Sequence, residues 1–359
     1  MRIVFVTQTL DADHPVLAHT LELVAALARR CDEVVVLCAT AGRHELPANV
    51  RVKLFGAPTR RRRGIGFVRG IAGAVRERPR PDAIFCHMVP LFLLLAAPFA
   101  KPRRIPLLLW YTHWSTSRTL RAATRVADVV LSADAGSFPL RSTKVRGIGH
   151  AIDAERFAPS ATERAGDGPL QVLALGRYAP VKGYETLLEG VRIAVERGLD
   201  ARLDVRGPEL TPVERDHRAE LERRLSRTPA LAGRVNLGDS VTRELVPALI
   251  ARSDVLVSTT QPQSSETFDK VLCEGAACGV PVLASNRALE GLLDGLTLPL
   301  RFPAGDAEAL AQRLLEIGAA GPQVRHELGA ELRRRVAAGH SIDSWADAVV
   351  ATISGLRRG

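Results

Sequence analysis

Glycine and a cation occur together twice within eight residues of this 359-residue chain, as Gly176-Arg177 and Lys182-Gly183. The glycines let a ligand approach the main chain closely, and the two cations could clamp a diphosphate. Arg and Lys beside a turn are also common as plain solvated charges, so the pair gains weight only from its company. Further on runs Ser264–Ser285, SSETFDKVLCEGAACGVPVLAS, in which Glu266 and Glu274 are eight positions apart. On one continuous helix these carboxylates would stand ~12 Å apart along the axis and ~80° apart around it. That is too far for a shared proton relay. With Glu266 in the loop before the helix, the free amides of the first turn face an anion that the helix dipole favours. Glu266 then reaches sugar hydroxyls on one side of that anion, and Glu274 reaches ribose hydroxyls on the other. The competing reading is a helix-start acid favoured by the dipole and an exposed helix glutamate.

Strand ends and helix starts must position these groups, and the chain reads as strand, helix, strand, twice over. Arg2–Thr7, Glu33–Cys38, Val50–Phe55, Ala83–Cys86, Pro106–Trp110 and Val129–Ser132 read as strands of the first series, with a helix over Leu17–Ala28. Short, nearly continuous apolar runs of this kind suit parallel strands covered on both faces. Phe157–Pro169 (FAPSATERAGDGP) has the composition of a linker. A second series follows, with strands at Leu170–Leu175, Arg202–Val205, Val235–Leu237, Asp254–Val257 and Val280–Ala284. Its helices are read at Tyr184–Arg197, Glu214–Arg227, Arg243–Ala251 and Phe268–Cys278, and a last one at Ser344–Leu356. The expectation is α/β, two doubly wound parallel-sheet domains facing across a cleft, with ligands outside the carboxyl ends of the strands. The domains are placed at 1–160, rejoined by the C-terminal helix 341–359, and at 168–340.

Charge is divided unevenly along the chain. The net +10 comprises +12 from residues 1–165 and −2 from residues 166–359. Between Arg51 and Arg80 ten basic residues face the single acid Glu77. An anionic partner is implied, namely a phospholipid surface, a phosphorylated acceptor or nucleic acid, against a plainly solvated Arg-rich face. No stacking aromatics accompany the basic run, which makes nucleic acid the least fitting of the three. The apolar stretch Val89–Ala100 is too short and too proline-broken to span a bilayer, and no secretory signal is evident at the N-terminus. Five cysteines without zinc spacing read as reduced core thiols, which suits a cytosolic compartment.

In combination these residues resemble the retaining GT-B glycosyltransferases of family 4 over nearly the whole chain. The Gly-Arg and Lys-Gly turns carry the resemblance, with the spaced glutamates and the Gly279-Val280-Pro281-Val282 segment. Asp153–Phe157 (DAERF), Ser253–Ser258 (SDVLVS) and Ser344-Trp345 follow in the expected order. The resemblance implies that Arg177 and Lys182 hold the diphosphate of a nucleotide-sugar donor and that Glu266 contacts the transferred sugar. Thr267 stands where the family usually has Gly, and so does Asp269. Phe268, Asp269 and Lys270 would supply amides around the phosphate, and Glu274 would bind the ribose. His113, in Tyr-Thr-His-Trp, matches the family's active-site histidine. The base would lie near Gly207-Pro208 and the turn at Ser240-Val241-Thr242. The first loop, Gln8–Pro15, lacks the family's glycine pair, so the acceptor pocket is less defined than the donor pocket. Asp11 and Asp13 form an Asp-x-Asp pair but read as loop acids, since cations and a helix start can neutralise the leaving group.

The implied activity is glycosyl transfer with retention from a UDP- or GDP-sugar, without a cofactor or metal. The acceptor would be a sugar, a lipid-linked or a small molecule of envelope polysaccharide, glycolipid or glycoside synthesis. A catalytically silent membrane-binding adaptor and a sugar-nucleotide epimerase of the same architecture are the alternatives. The expected location is cytoplasmic, with Arg60–Arg63 and the helix Phe67–Val75 docking on anionic lipid at the inner face of the membrane.

Overall fold

A computed structural model describes residues 1–14, 17–113, 115–159, 168–261 and 269–358. Two compact units emerge, Met1–Ala151 with Gly339–Gly359, and Ile152–Ala338. In the first unit the strands are β1 (Arg2–Leu10), β2 (Glu33–Ala41), β3 (Val50–Leu54), β4 (Ala83–His87), β5 (Leu107–Trp110), β6 (Val129–Ser132) and β7 (Val145–Gly147). The helices between them are α1 (Thr20–Ala28), α2 (Arg60–Ala74), α3 (Pro90–Ala100) and α4 (Arg118–Val126). In the second unit the strands are β8 (Leu170–Leu175), β9 (Ala201–Arg206), β10 (Val235–Gly238), β11 (Val255–Ser258) and β12 (Val282–Ala284). Its helices are α5 (Tyr184–Glu196), α6 (Pro212–Ser226), α7 (Val246–Ala251), α8 (Lys270–Ala277), α9 (Glu290–Leu293), α10 (Ala307–Ala319) and α11 (Gly321–Gly339). The last helix, α12 (Ile342–Arg358), belongs to the first unit.

The strands pair in parallel throughout. The first sheet has the order β3-β2-β1-β4-β5-β6-β7, and the second has β10-β9-β8-β11-β12. Strand order therefore reverses between β1 and β4 in one unit and between β8 and β11 in the other. Chains leave opposite faces of the sheet there, opening a crevice at the carboxyl ends where ligands of such sheets bind.

In the first unit β1 is buried along nearly its whole length, which explains its apolar run. Residues alternating along the strand feed two cores. Ile3 and Phe5 join α1 and α12 on one face, while Val4 and Val6 join α2, α3 and α4 on the other. Trp345 of α12 is fully buried in the first of these cores. Its ring lies edge-on to Phe85 at 5.9 Å and to Trp110 at 5.6 Å. The five cysteines are free and buried, and burial raises the thiols of Cys31 and Cys38 to about 11, which keeps them protonated.

The second unit begins earlier than composition suggests. Ile152 and Phe157 are fully buried, and Arg333 of α11 donates to the carbonyls of Ala154, Phe157 and Ala277. Most of the segment expected as a linker, residues 160–167, lies outside the described residues. Its leading end is packed because long-range contacts hold it. The helix expected over Phe67–Val75 is the second half of α2, and Phe67, Ile71, Ala72 and Ala74 turn into the core. That apolar face is not available to a membrane.

At the amino end of the first sheet, Glu77 takes hydrogen bonds from Arg2, Arg51 and Lys53. Burial raises its carboxyl, but these three cations outweigh that and bring it down to about 2. A depressed folded-state pKa gives stability that is present above the unfolded value of about 4.3 and lost as pH falls toward about 2. All three tryptophans lie in this unit's sequence, so their fluorescence reports its acid unfolding. Glu77→Gln is expected to remove the pH dependence in that window. An unchanged acid profile would show that the cluster does not stabilise the fold.

Candidate functional site

Two glycines close the strand ends in the crevice of the second unit. A Cβ at Gly207, just after β9, would fall 1.7 Å from the carbonyl oxygen of Gly176, just after β8. Only bare backbone fits at this approach. Gly183 has φ +64°, and a Cβ there would meet the Thr259 carbonyl at 2.3 Å. Its left-handed backbone ends the short turn that carries Lys182. The Thr259 hydroxyl donates to the Lys182 carbonyl at 2.8 Å, and the Gln261 amide donates to that of Val181 at 2.9 Å. The cation-bearing turn is thereby tied to the end of β11. Tyr184 donates to the Gly176 carbonyl at 2.9 Å. Burial pushes the Tyr178 phenol up to about 12 and that of Tyr184 higher still, so both remain neutral donors.

Both cations expected to clamp an anion already face carboxylates. Arg177 Nη1 lies 2.6 Å from Glu214 Oε1, while its side chain stays half exposed. Glu214 is itself buried at the start of α6. Its other oxygen accepts from the Leu210 amide at 2.6 Å, and its own amide donates to Thr211 Oγ1 at 3.3 Å. This is helix capping with one oxygen left for the arginine. Lys182 Nζ lies 3.7 Å from Asp269 Oδ2.

Asp269 caps α8 with its side chain instead of merely lending an amide. Its Oδ1 accepts from the Val271 amide at 3.2 Å, and its Oδ2 accepts from the Ser258 hydroxyl at 2.9 Å. One first-turn amide, that of Val271, is therefore engaged by the cap, and a carboxylate stands at the helix start. The cap comes in addition to the amide role expected of Asp269. Lys270 Nζ lies 3.7 Å from Glu274 Oε1, one turn along the helix. Glu274 is 4% exposed and lies 3.4 Å from Arg243 Nη1. It is a buried, charge-paired acid and not the solvated helix glutamate of the competing reading. Gly207 closes the crevice as described, and Val241 is half-buried in the loop after β10. Glu266, Thr267 and Phe268 lie outside the described residues.

In the first unit a cavity of about 400 Å³ opens at the corresponding crevice, lined among others by Thr7, Gln8, His87, Met88, Tyr111 and His113. The Ser115 amide donates to His113 Nδ1 at 3.1 Å, with the Ser115 hydroxyl 2.8 Å from the same atom. An accepting Nδ1 leaves the proton of the neutral ring on Nε2, making that atom a donor. His87 is 1% exposed, with Nδ1 3.2 Å from Thr7 Oγ1. Sequence reasoning missed His87, although its place at the end of a strand was a usable signal. Asp11 and Asp13 serve the loop beside this crevice. Asp13 pairs with Arg43 at 2.6 Å, and Asp11 accepts from the Asp13 amide.

Two family models match the chain, glycosyl transferases group 1 over residues 169–319 and glycosyltransferase family 4 over residues 16–135. The chain belongs to the family 4 glycosyltransferases. A D-inositol 3-phosphate glycosyltransferase of Saccharomonospora viridis is 33% identical over 204 residues, which cover 50% of this chain and 43% of that protein. The match thus spans less than half of the relative's length. Among solved structures, Anabaena HepE in complex with UDP superposes with a TM-score of 0.77 at 18% identity, covering 99% of this glycosyltransferase and 100% of HepE. Sucrose-phosphate synthase of Thermosynechococcus elongatus gives 0.75 at 18% identity, covering 99% of both chains. The fold is GT-B, as the resemblance implied.

Proposed function

We propose that the protein transfers a glycosyl unit from a nucleoside-diphosphate sugar to an acceptor with retention of anomeric configuration. The observation that carries this reading is the ion pair of Lys182 with the start of α8 at the strand-order reversal of the second unit, with Arg177 half exposed just after β8 and buried Glu274 on α8. On this reading Arg177, Lys182 and the amides of Phe268, Asp269 and Lys270 hold the diphosphate. Glu274 binds the ribose, backbone at Gly207 and Val241 meets the base, and Glu266 contacts the sugar, with Thr267 beside it shaping which sugar fits. His113 donates from Nε2 to the transferred sugar.

The chemistry follows from charge. As the glycosidic bond breaks, negative charge grows on the leaving diphosphate, and preorganised cations and dipoles stabilise it more than they stabilise the ground state. The departing phosphate oxygen then helps to deprotonate the acceptor on the same face of the sugar, which preserves configuration. A UDP- or GDP-sugar fits, and HepE, solved with UDP, supports the uridine option. The basic first unit and the inositol-phosphate relative support a phosphorylated or lipid-linked acceptor, with a cytoplasmic site of action. Proton NMR of the product, made from a donor of known anomeric configuration, tests the proposal. The same configuration is expected. Inversion would refute retention, and failure to consume any nucleotide sugar would refute transfer.

Asp269 makes this site unusual, because its fixed negative charge competes with a diphosphate for Lys182. Asn caps a helix about as well as Asp does, so Asp269→Asn removes charge and keeps the turn. Calorimetry is expected to show nucleoside diphosphate binding roughly tenfold tighter, the size of a like-charge contact of about 1.4 kcal/mol. Weaker binding would mean that the carboxylate orients Lys182 instead of competing for its ligand.

A further inference from the structure

We propose that α2, α3 and α4 form a docking face for an anionic lipid bilayer. The three helices pack on one face of the first sheet, and α3 contacts both α2 and α4. The middle helix, PLFLLLAAPFA, has no polar side chain, yet only Leu93, Ala96 and Ala100 are fully buried. Leu91 is 40% exposed, and Phe92, Leu94, Leu95 and Phe99 are only partly covered. An apolar helix left half-covered in water is costly unless something else covers it.

Its flanks indicate what does. Arg60, Arg61 and Arg62 on α2 and Arg118, Arg121 and Arg125 on α4 are exposed, and among the described residues none of them forms an ion pair. The α4 arginines recur at helical spacing on the face opposite Leu120, Ala123 and Thr124, which are buried. None of the three helices contains an acid. An apolar ridge between two cationic helices matches a bilayer interface, where acyl chains meet the ridge and anionic headgroups meet the arginines. A second copy of this chain would set like charges against each other. Nucleic acid would leave the apolar centre uncovered. The face also adjoins the cavity of the first unit, because Met88 lines that cavity and α3 starts two residues later. A lipid-borne acceptor would therefore arrive beside it. This inference stands whether or not the donor chemistry above is right.

Cosedimentation with phosphatidylcholine vesicles, with and without phosphatidylglycerol, tests it. Binding is expected only with phosphatidylglycerol and is expected to weaken at high salt. Each arginine near such a surface contributes about fivefold. The triple variant Arg60→Glu, Arg61→Glu, Arg62→Glu should therefore lose at least about a hundredfold in partitioning, with an unchanged melting temperature. Leu91→Glu should also weaken binding while the charge pattern on α2 and α4 stays intact. Equal partitioning into both vesicle types, no binding to either, or binding indifferent to both variants would overturn the proposal. Dimerisation through α3 in place of vesicle binding would overturn it too.

Discussion

Lys182→Ala is expected to lower turnover by at least about a hundredfold, the usual loss when one preorganised charge is taken from a developing anion. The effect should fall on kcat more than on KM, because charge on the leaving oxygen grows as the bond breaks. The fold should persist. Lys182 is only partly buried, its ammonium lies 3.7 Å from Asp269, and the turn is fixed by main-chain contacts of Val181, Lys182 and Gly183. Removing the lysine also leaves the Asp269 carboxylate uncompensated at the helix start, which adds repulsion toward a diphosphate. Initial rates with saturating donor, together with an unchanged circular dichroism melt, check this. Near-normal turnover in the folded variant would exclude Lys182 from the chemistry.

Trp345→Ala is expected to destabilise the first unit by about 3–5 kcal/mol, the range for deleting a buried large aromatic. Trp345 is fully buried against Phe85 and Trp110, on a helix that lies far from both in sequence. Its loss opens a void between α12 and the sheet. The second unit has its own sheet and core, so urea unfolding should no longer be two-state. Fluorescence of the remaining Trp110 and Trp114 should report an early transition, while nucleoside diphosphate binding survives to higher urea. A midpoint equal to that of the unaltered protein would mean that α12 is dispensable to the first unit.

Much of the fold was legible because parallel strands buried on both faces leave apolar runs, as in Arg2–Thr7 and Leu170–Leu175. The strand β7 was not, since Val145–Gly147 is three residues long and mostly exposed. The helix α3 was read only as an apolar stretch. Pro90 sits in its first turn, where no amide is needed, and Pro98 falls near its end. The unit boundary escaped because Phe157 belongs by composition to a linker and by packing to Arg333, 176 residues away.

At the site, glycines and cations were readable from type and spacing. The side-chain cap made by Asp269 was missed, although an Asp directly before a helix is a capping signal. The Thr211 and Glu214 capping pair was equally readable. Its bond to Arg177, 37 residues earlier, depends on β8 and α6 meeting in space. His87 faces the first cavity because β4 pairs with β1, and strand order is not written in the local sequence.

Isothermal titration of UDP and GDP into the intact protein tests the central claim most directly. At least one of them should bind with one-to-one stoichiometry, and Arg177→Ala and Glu274→Ala should each weaken that binding while the protein stays folded. If neither nucleotide binds, or if one binds equally well to both variants, then the crevice between β8 and β11 does not hold the donor.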